Sequence, residues 1–311
     1  MYKRQVDDHD RPGRHVLHRQ LIAERVAASD RGAGPGPSPE VRRALAPLLE
    51  HPATTAIATD FDGTVSPIVE VPAEARPLDG TADVLEQLAH RFGVVAVLSG
   101  RPVSFLVEHL GPARRPGSPG PGDPTGVAAP RFVGLYGLET AGSDGVVALE
   151  PGAERWRTVV GEAADRLGSL APPGVEVEPK GLTVTVHWRR APGEARRAIG
   201  AADAEAGRSG LRAHFGRMSV ELRPPMDVDK GIVLRRLAAG CTAACYFGDD
   251  LGDLAAFATL ADLAAADGLS TVSVAVVDEE SAAEVAEAAD VTVAGPEGAL
   301  QALRWLAGGG R

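Results

Sequence analysis

The stretch Ala56–Pro67, A-I-A-T-D-F-D-G-T-V-S-P, decides how the rest of the chain is read. Thr54 to Thr59 is short, apolar and β-prone, a segment suited to burial inside a sheet. It runs directly into Asp60 and Asp62, and Gly63-Thr64 then break the strand. Acids at the carboxyl end of a buried strand stand where open α/β sheets bind their ligands. A spacing of two keeps both side chains on one side of an extended backbone, unless the chain already bends. Such a pair can divide labour, one carboxylate attacking and the other moving protons. Asp62-Gly63 alone is also an ordinary turn signal, but the full D-F-D-G-T after an apolar strand is much rarer.

With 311 residues the chain is long enough for about two domains with ample core. It is 44% hydrophobic but only 4% aromatic, so the core is expected to be mainly Ala, Val and Leu. A net charge of -10 argues against general nucleic-acid binding and gives no long-range attraction for a phosphate ester. Any phosphate site must therefore be local, built from a few cations or a metal. No apolar run reaches the roughly 18 residues of a membrane span, and no secretory signal is visible. Cys241 and Cys245 exclude a disulfide framework and make a poor zinc site. They read as reduced packing residues of a cytoplasmic protein, expected to be a monomer.

Working outward, residues 1–37 mix charges and histidines before G-A-G-P-G-P-S-P and are expected to be a mobile tail, with a short helix near Val16–Ala28 as an option. Ser38-Pro39-Glu40 is a helix start, and Pro47 should kink or shorten that helix. A helix over Ala82–His90 and an apolar strand over Val94–Leu98 follow, the strand ending in Ser99-Gly100-Arg101. Strand, helix, strand with short links is the pattern of a parallel sheet. Residues 111–130 hold six Pro and five Gly and read as a surface insertion. Phe132 to Glu139 reads as another strand.

The middle differs in texture. After a short strand at Val146–Leu149, Trp156, Val159, Val160, Ala163 and Leu167 mark an amphipathic helix. Leu182 to Arg189 alternates, with Leu182, Val184, Val186 and Trp188 on one face and Thr183, Thr185, His187 and Arg189 on the other. That predicts an antiparallel strand with one buried and one wet face. A helix near Glu194–Ala206 and an alternating strand through Met218, Val220 and Leu222 complete a small α+β module. After Pro224-Pro225 the parallel pattern resumes: a helix from Asp229, a strand over Ala244–Phe247, G-D-D-L-G-D, and further strands and helices to Leu306.

Four groups fall at strand ends or helix starts: Asp60/Asp62, Ser99, Lys230 and Asp249/Asp250/Asp253. A lysine in the first turn of a helix opposes the dipole, so Lys230 needs a neighbouring anion. The acids of G-D-D-L-G-D could be N-caps, but one cap needs one acid. Three acids at one strand end fit a magnesium ion held by few carboxylates plus waters.

These elements stand in the order of the haloacid dehalogenase (HAD) phosphatase superfamily, which the chain resembles from residue 53 to about 305. Within it the chain resembles the trehalose-6-phosphate phosphatases in D-F-D-G-T-V-S-P, S-G-R, G-L-Y-G-L-E, E-P-K followed by H-W-R, E-L-R-P with K-G, and G-D-D-L-G-D-L-A-A-F. The family usually has Thr and Glu where Gly252 and Leu254 stand, and often Asn-His where Leu135-Tyr136 stand. The resemblance implies an α/β fold, a HAD-like (Rossmannoid) parallel-sheet core over 38–143 and 224–311 with an inserted α+β cap domain over 144–223. It implies Asp60 as nucleophile and Asp62 as general acid and base. Magnesium would be bound by Asp60, the Asp62 backbone carbonyl and Asp249, with Asp250 and Asp253 acting mainly through waters. Thr64, Ser99, Gly100 and Lys230 would hold the phosphate. Arg101, Glu139, Glu178, Lys180, His187, Arg189 and Glu221 would contact the sugar. The expected activity is hydrolysis of trehalose 6-phosphate through an aspartyl-phosphate. Other readings are a phosphatase for sucrose phosphate or mannosylglycerate phosphate, and a catalytically silent HAD-like binding domain.

Overall fold

The computed structural model describes residues 36–111, 129–142, 146–216, 218–278 and 281–311. The expected tail, its optional helix, and nearly all of the Pro/Gly-rich insertion lie outside the described residues. The first helix, α1 (Pro39–Leu45), starts where Ser38 Oγ accepts from the Val41 N–H. It ends as Pro47 forces a 3-10 turn over Ala46–Leu49.

One large sheet organises the molecule. Its strands are β1 (Thr55–Thr59), β2 (Val94–Leu98), β3 (Arg131–Gly134), β4 (Glu139–Ala141), β5 (Val147–Leu149), β10 (Ala243–Gly248), β11 (Ser270–Val277) and β12 (Val291–Ala294). Their order is β12-β11-β10-β1-β2-β3-β4-β5. From β12 to β3 all neighbours run parallel, and β4 and β5 turn antiparallel. The chain leaves β1 toward β2 on one side and later returns through β10 on the other. This makes the β10/β1 junction the switch point where such sheets open a crevice.

Both faces of the sheet are covered, which is why its strands read as unbroken apolar runs. On one face Ile57, Val95, Val97 and Phe247 pack with α1, α2 (Thr81–Arg91), α3 (Val103–Leu110) and α9 (Gly295–Ala307). On the other, Ala56, Ala58, Ala96 and Ala244 leave room for α6 (Lys230–Leu237), α7 (Leu254–Asp267) and α8 (Ala283–Ala288). Fully burying each Val, Leu or Phe of this kind is worth about 1.5–3 kcal/mol.

A second sheet lies between β5 and α6 in sequence. It is antiparallel, in the order β6 (Glu176–Pro179), β7 (Val184–His187), β9 (Ser219–Arg223), β8 (Arg212–Gly216). Helices α4 (Arg157–Leu170) and α5 (Ala195–Ser209) cover one face, where Val184, Val186, Val220 and Leu222 are buried.

Several expectations need correction. The strand expected over Phe132–Glu139 stops at Gly134, because Leu135 and Tyr136 take φ of 50° and 59° and turn the chain back as β4. Each such non-glycine conformation costs about 1–3 kcal/mol. The short strand placed at the start of the inserted module, β5, instead pairs with β4 as the edge of the large sheet, so the 144 boundary falls too early. The face of β7 expected to be wet is polar but buried: Thr183 is 0% and Thr185 4% exposed. Side chains of Glu178, Lys180 and Glu221 cover it. Helix α3 and strand β8 were not foreseen.

Candidate active site

The carboxyl ends of the adjacent strands β10, β1, β2 and β3 gather the candidate groups. Asp60 follows β1 and is tied to the neighbouring β10 by its N–H, which donates to the Phe247 carbonyl at 2.8 Å. Gly63, at φ 79°, then turns the loop under Asp249, whose carboxylate occupies the space a Cβ there would fill. This close approach explains the glycine better than the turn alone.

Lys230 sits in the first turn of α6 with an anion on either side, as its position against the helix dipole requires. Its Nζ lies 3.0 Å from Asp60 Oδ1 and donates to Asp253 Oδ1 at 2.6 Å. Asp253 is fully engaged. Its Oδ1 also accepts from the Tyr246 hydroxyl at 2.7 Å, and its Oδ2 accepts from the N–H groups of Asp249 and Asp250 at 3.0 and 3.1 Å. Asp250 caps the turn over Leu251–Asp253 by accepting from the Gly252 N–H at 2.8 Å. Asp250 thus serves as the cap, and Asp253 belongs both to that capping box and to the acidic cluster.

This cluster is electrostatically unbalanced. Burial pushes the Asp60 carboxyl well above the usual range; Lys230 opposes the shift and Asp253 adds to it. Burial, then Asp60, Asp250 and Asp253, push Asp249 up in the same way. Burial disfavours the Lys230 charge, but Asp253 and Asp60 outweigh it and hold the ammonium protonated. One cation faces several buried acids. Oxygens of Asp60, Asp249 and Asp253 lie within 4.8 Å of one another, a hard-oxygen set suited to a divalent cation such as magnesium.

Around this centre, three expected contacts turn inward. Thr64 Oγ1 donates to Asp249 Oδ1 at 3.0 Å and so orients that carboxylate. Arg101 Nε and Nη2 donate to Asp62 Oδ2 and Oδ1 at 2.8 and 2.7 Å, and its Nη1 donates to the Pro72 carbonyl. Its guanidinium is thus paired with Asp62. Glu139 Oε2 accepts from the Val103 N–H at 2.9 Å, capping α3 from β4. Ser99 is buried at the end of β2, its Oγ accepting from the Arg101 N–H, with Gly100 beside it.

The second sheet supplies a separate polar group. Register aligns Glu178, Thr185, Glu221 and His214 across β6, β7, β9 and β8. His187 Nε2 and Glu178 Oε2 are 2.9 Å apart, and Lys180 Nζ lies 3.6 Å from both Glu178 and Glu221. Thr183 donates to Glu221 Oε1 at 2.7 Å, and Arg223 donates to Glu221 Oε2 at 3.0 Å. Burial opposes the Glu221 charge, but Lys180, Arg223 and Thr183 overcome it and hold this carboxyl down at about 2. Glu178 is also lowered, burial being outweighed by His187 and Lys180. Arg189 lies in the turn beyond β7 and makes no side-chain hydrogen bond or ion pair with this group among the described residues. Tyr246 was not singled out from sequence, Tyr136 entered only as a departure from the family pattern, and Arg223 only within E-L-R-P. Arg223 was open to discovery, since alternation puts it on the face of Glu221.

The sequence model of a family described as trehalose-phosphatase matches residues 58–114 and 127–294. A trehalose-phosphate phosphatase of Mycobacterium avium (strain 104) is 37% identical over 219 residues, covering 67% of this chain and 51% of that protein. One of Mycobacterium marinum is 37% identical over 214 residues, covering 65% and 50%. The chain thus spans about half the length of the curated relatives it matches. Among solved structures, the trehalose-6-phosphate phosphatase C-terminal domain of C. albicans superposes with TM-score 0.66 at 20% identity, covering 86% of this chain and 96% of that one. A trehalose-6-phosphate phosphatase related protein gives TM-score 0.65 at 22% identity, covering 81% and 96%. The structural likeness gives the HAD-like fold, and the extent of the family match settles membership: the chain belongs to the trehalose-phosphatase family.

Proposed function

We propose that this protein is a magnesium-dependent phosphatase that hydrolyses trehalose 6-phosphate to trehalose and phosphate. The observation that carries the reading is the buried Asp60, held 3.0 Å from Lys230 at the sheet's switch point, with Asp249 beside it. Asp60 attacks phosphorus, a bond forms from its carboxylate oxygen, and the bond to the sugar oxygen breaks. The leaving oxygen takes a proton from Asp62, which Arg101 aims. Asp62 then takes a proton from water, whose oxygen attacks phosphorus and frees Asp60. Lys230, Ser99 and the Gly100 backbone face the charge that spreads over the phosphoryl oxygens. Asp60, Asp249 and the Asp62 carbonyl would hold magnesium, with Asp253 fixing the turn and Asp250 at its margin, and the ion would supply charge neutralisation there.

The inserted sheet acts as a cap in this reading. A bare phosphate site cannot choose among monoesters, whereas Glu178, Lys180, His187 and Glu221 offer paired acceptors and donors to sugar hydroxyls. Such a site rejects ligands that leave its polar groups unpaired. In this reading Arg189 and Glu139 make further, outer contacts to the sugar. The test is a panel of sugar phosphates with and without chelator. Trehalose 6-phosphate should be cleaved far better than glucose 6-phosphate or sucrose phosphate. Alanine at Glu178 or Lys180 should reduce that activity much more than activity on a small aryl phosphate. Equal kcat/KM for glucose 6-phosphate contradicts the substrate assignment, and full activity in excess chelator contradicts the metal.

A further inference from the structure

Tyr136 has no part in the steps above, yet the fold holds it in a strained turn beside the site, at φ 59° and ψ 25°. Its neighbours over-determine that position. The Leu135 and Tyr136 N–H groups donate to the carbonyls of Arg101 and Ser99, both at 3.0 Å. Leu135 is buried with Leu138 of the core and with Ala153 and Leu182 of the inserted unit. The hydroxyl end of Tyr136, its Oη, Cζ and Cε2, lies on Gly100, where any Cβ would collide with it. Over the ring, the Arg223 guanidinium carbon stands 3.2 Å from the centroid. Arg223 is the last residue of β9, and its Nε and Nη2 reach Glu221 Oε2 at 3.0 and 2.9 Å. A continuous stack therefore runs from the Ser99-Gly100 turn through Tyr136 and Arg223 to Glu221.

We propose that Tyr136 is a specificity-determining positioning residue: its ring is the spacer that sets, through Arg223, the height of Glu221 above the Ser99-Gly100 phosphate cradle. The inference rests on the sugar-phosphate reading. An ester with a sugar attached must engage the cradle and Glu221 together, so the distance between them is part of the recognition. A small aryl phosphate engages the cradle alone. The spacer is the ring, whose Cζ and Cε2 lie against Gly100 beside the hydroxyl and whose face carries the Arg223 guanidinium.

The experiment compares wild type, Tyr136→Phe, Tyr136→Ala, Arg223→Lys and Arg223→Ala on trehalose 6-phosphate and p-nitrophenyl phosphate. Tyr136→Phe should stay within about twofold on both substrates. Tyr136→Ala, Arg223→Ala and Arg223→Lys, which loses the planar fork, should raise KM for trehalose 6-phosphate about tenfold. Their kcat/KM on p-nitrophenyl phosphate should change by less than about twofold. Without any substrate, amide hydrogen exchange over residues 219–223 should quicken in Tyr136→Ala but not in Tyr136→Phe. Equal losses on both substrates, no loss on either, damage by Tyr136→Phe equal to that by Tyr136→Ala, or unchanged exchange in Tyr136→Ala would each overturn the spacer. A wild-type enzyme with no preference for the disaccharide ester overturns the substrate reading instead, and that failure shows before any variant is made.

Discussion

Arg101 closes on Asp62 with two parallel hydrogen bonds, Nε to Oδ2 at 2.8 Å and Nη2 to Oδ1 at 2.7 Å. Burial works against the Arg101 charge, but its hydrogen bonds to Asp62 prevail and keep it cationic. In the proposed mechanism this carboxylate meets both a leaving group and a water, and it is aimed by a planar fork that lysine cannot reproduce. Arg101→Lys should lower kcat by roughly tenfold to a hundredfold with a much smaller change in KM. Steady-state kinetics check this, and a variant with unaltered kcat removes Arg101 from the positioning of Asp62.

Asp60→Asn keeps the shape of the side chain and removes the attacking anion. Turnover should fall by at least about a thousandfold while the melting transition stays cooperative. Ordinary turnover by the folded variant sinks the covalent route.

Asp249 offers a test of the metal that needs no turnover. Its carboxylate is crowded by Asp60, Asp250 and Asp253 after being desolvated. Without metal, Asp249→Asn should melt higher than wild type, because it relieves that repulsion. With magnesium well above its Kd, wild type should gain about 1–3 kcal/mol and Asp249→Asn much less. Equal magnesium shifts in the two proteins exclude Asp249 as a ligand.

Glu221 gives a pH dependence with a definite sign. Its carboxyl is lowered from 4.5 to about 2, so its contribution to stability is complete above pH 4.5 and is lost as pH falls toward 2. The difference amounts to about 3 kcal/mol. Urea midpoints at pH 7 and pH 3 should therefore diverge more for wild type than for Glu221→Gln. Identical pH dependence would mean that Lys180 and Arg223 do not hold this charge.

The sequence made the site's centre legible because its chemistry is local. Asp60 and Asp62 end an apolar strand, and Lys230 opposes a helix dipole, so each reveals its need for a partner within a few residues. The roles of Thr64, Arg101 and Glu139 were hidden because their partners are remote in sequence: Asp249, Asp62 and the Val103 N–H. Alternation in β7 located a polar face but could not say what lay over it, so Thr183 and Thr185 read as wet when they are buried. The reversal at Leu135-Tyr136 was invisible because neither residue advertises a positive φ. Local propensity there is overruled by contacts with Ser99, Arg101 and Arg223.

The strand order carries a consequence for biogenesis. β1 ends at Thr59, yet its partner on the switch-point side begins only at Ala243. During synthesis one flank of β1 stays unpaired until residues 243–248 emerge. An apolar, unprotected strand edge of that kind templates association with other chains. The second sheet has every strand within residues 176–223 and can close much earlier. Chains halted at Gly240 should therefore contain a protease-resistant 150–223 unit while aggregating through residues 55–59, and Ala56→Lys on such a fragment should restore solubility. Fragments that are soluble without that charge would show that the growing chain shields this edge by another means.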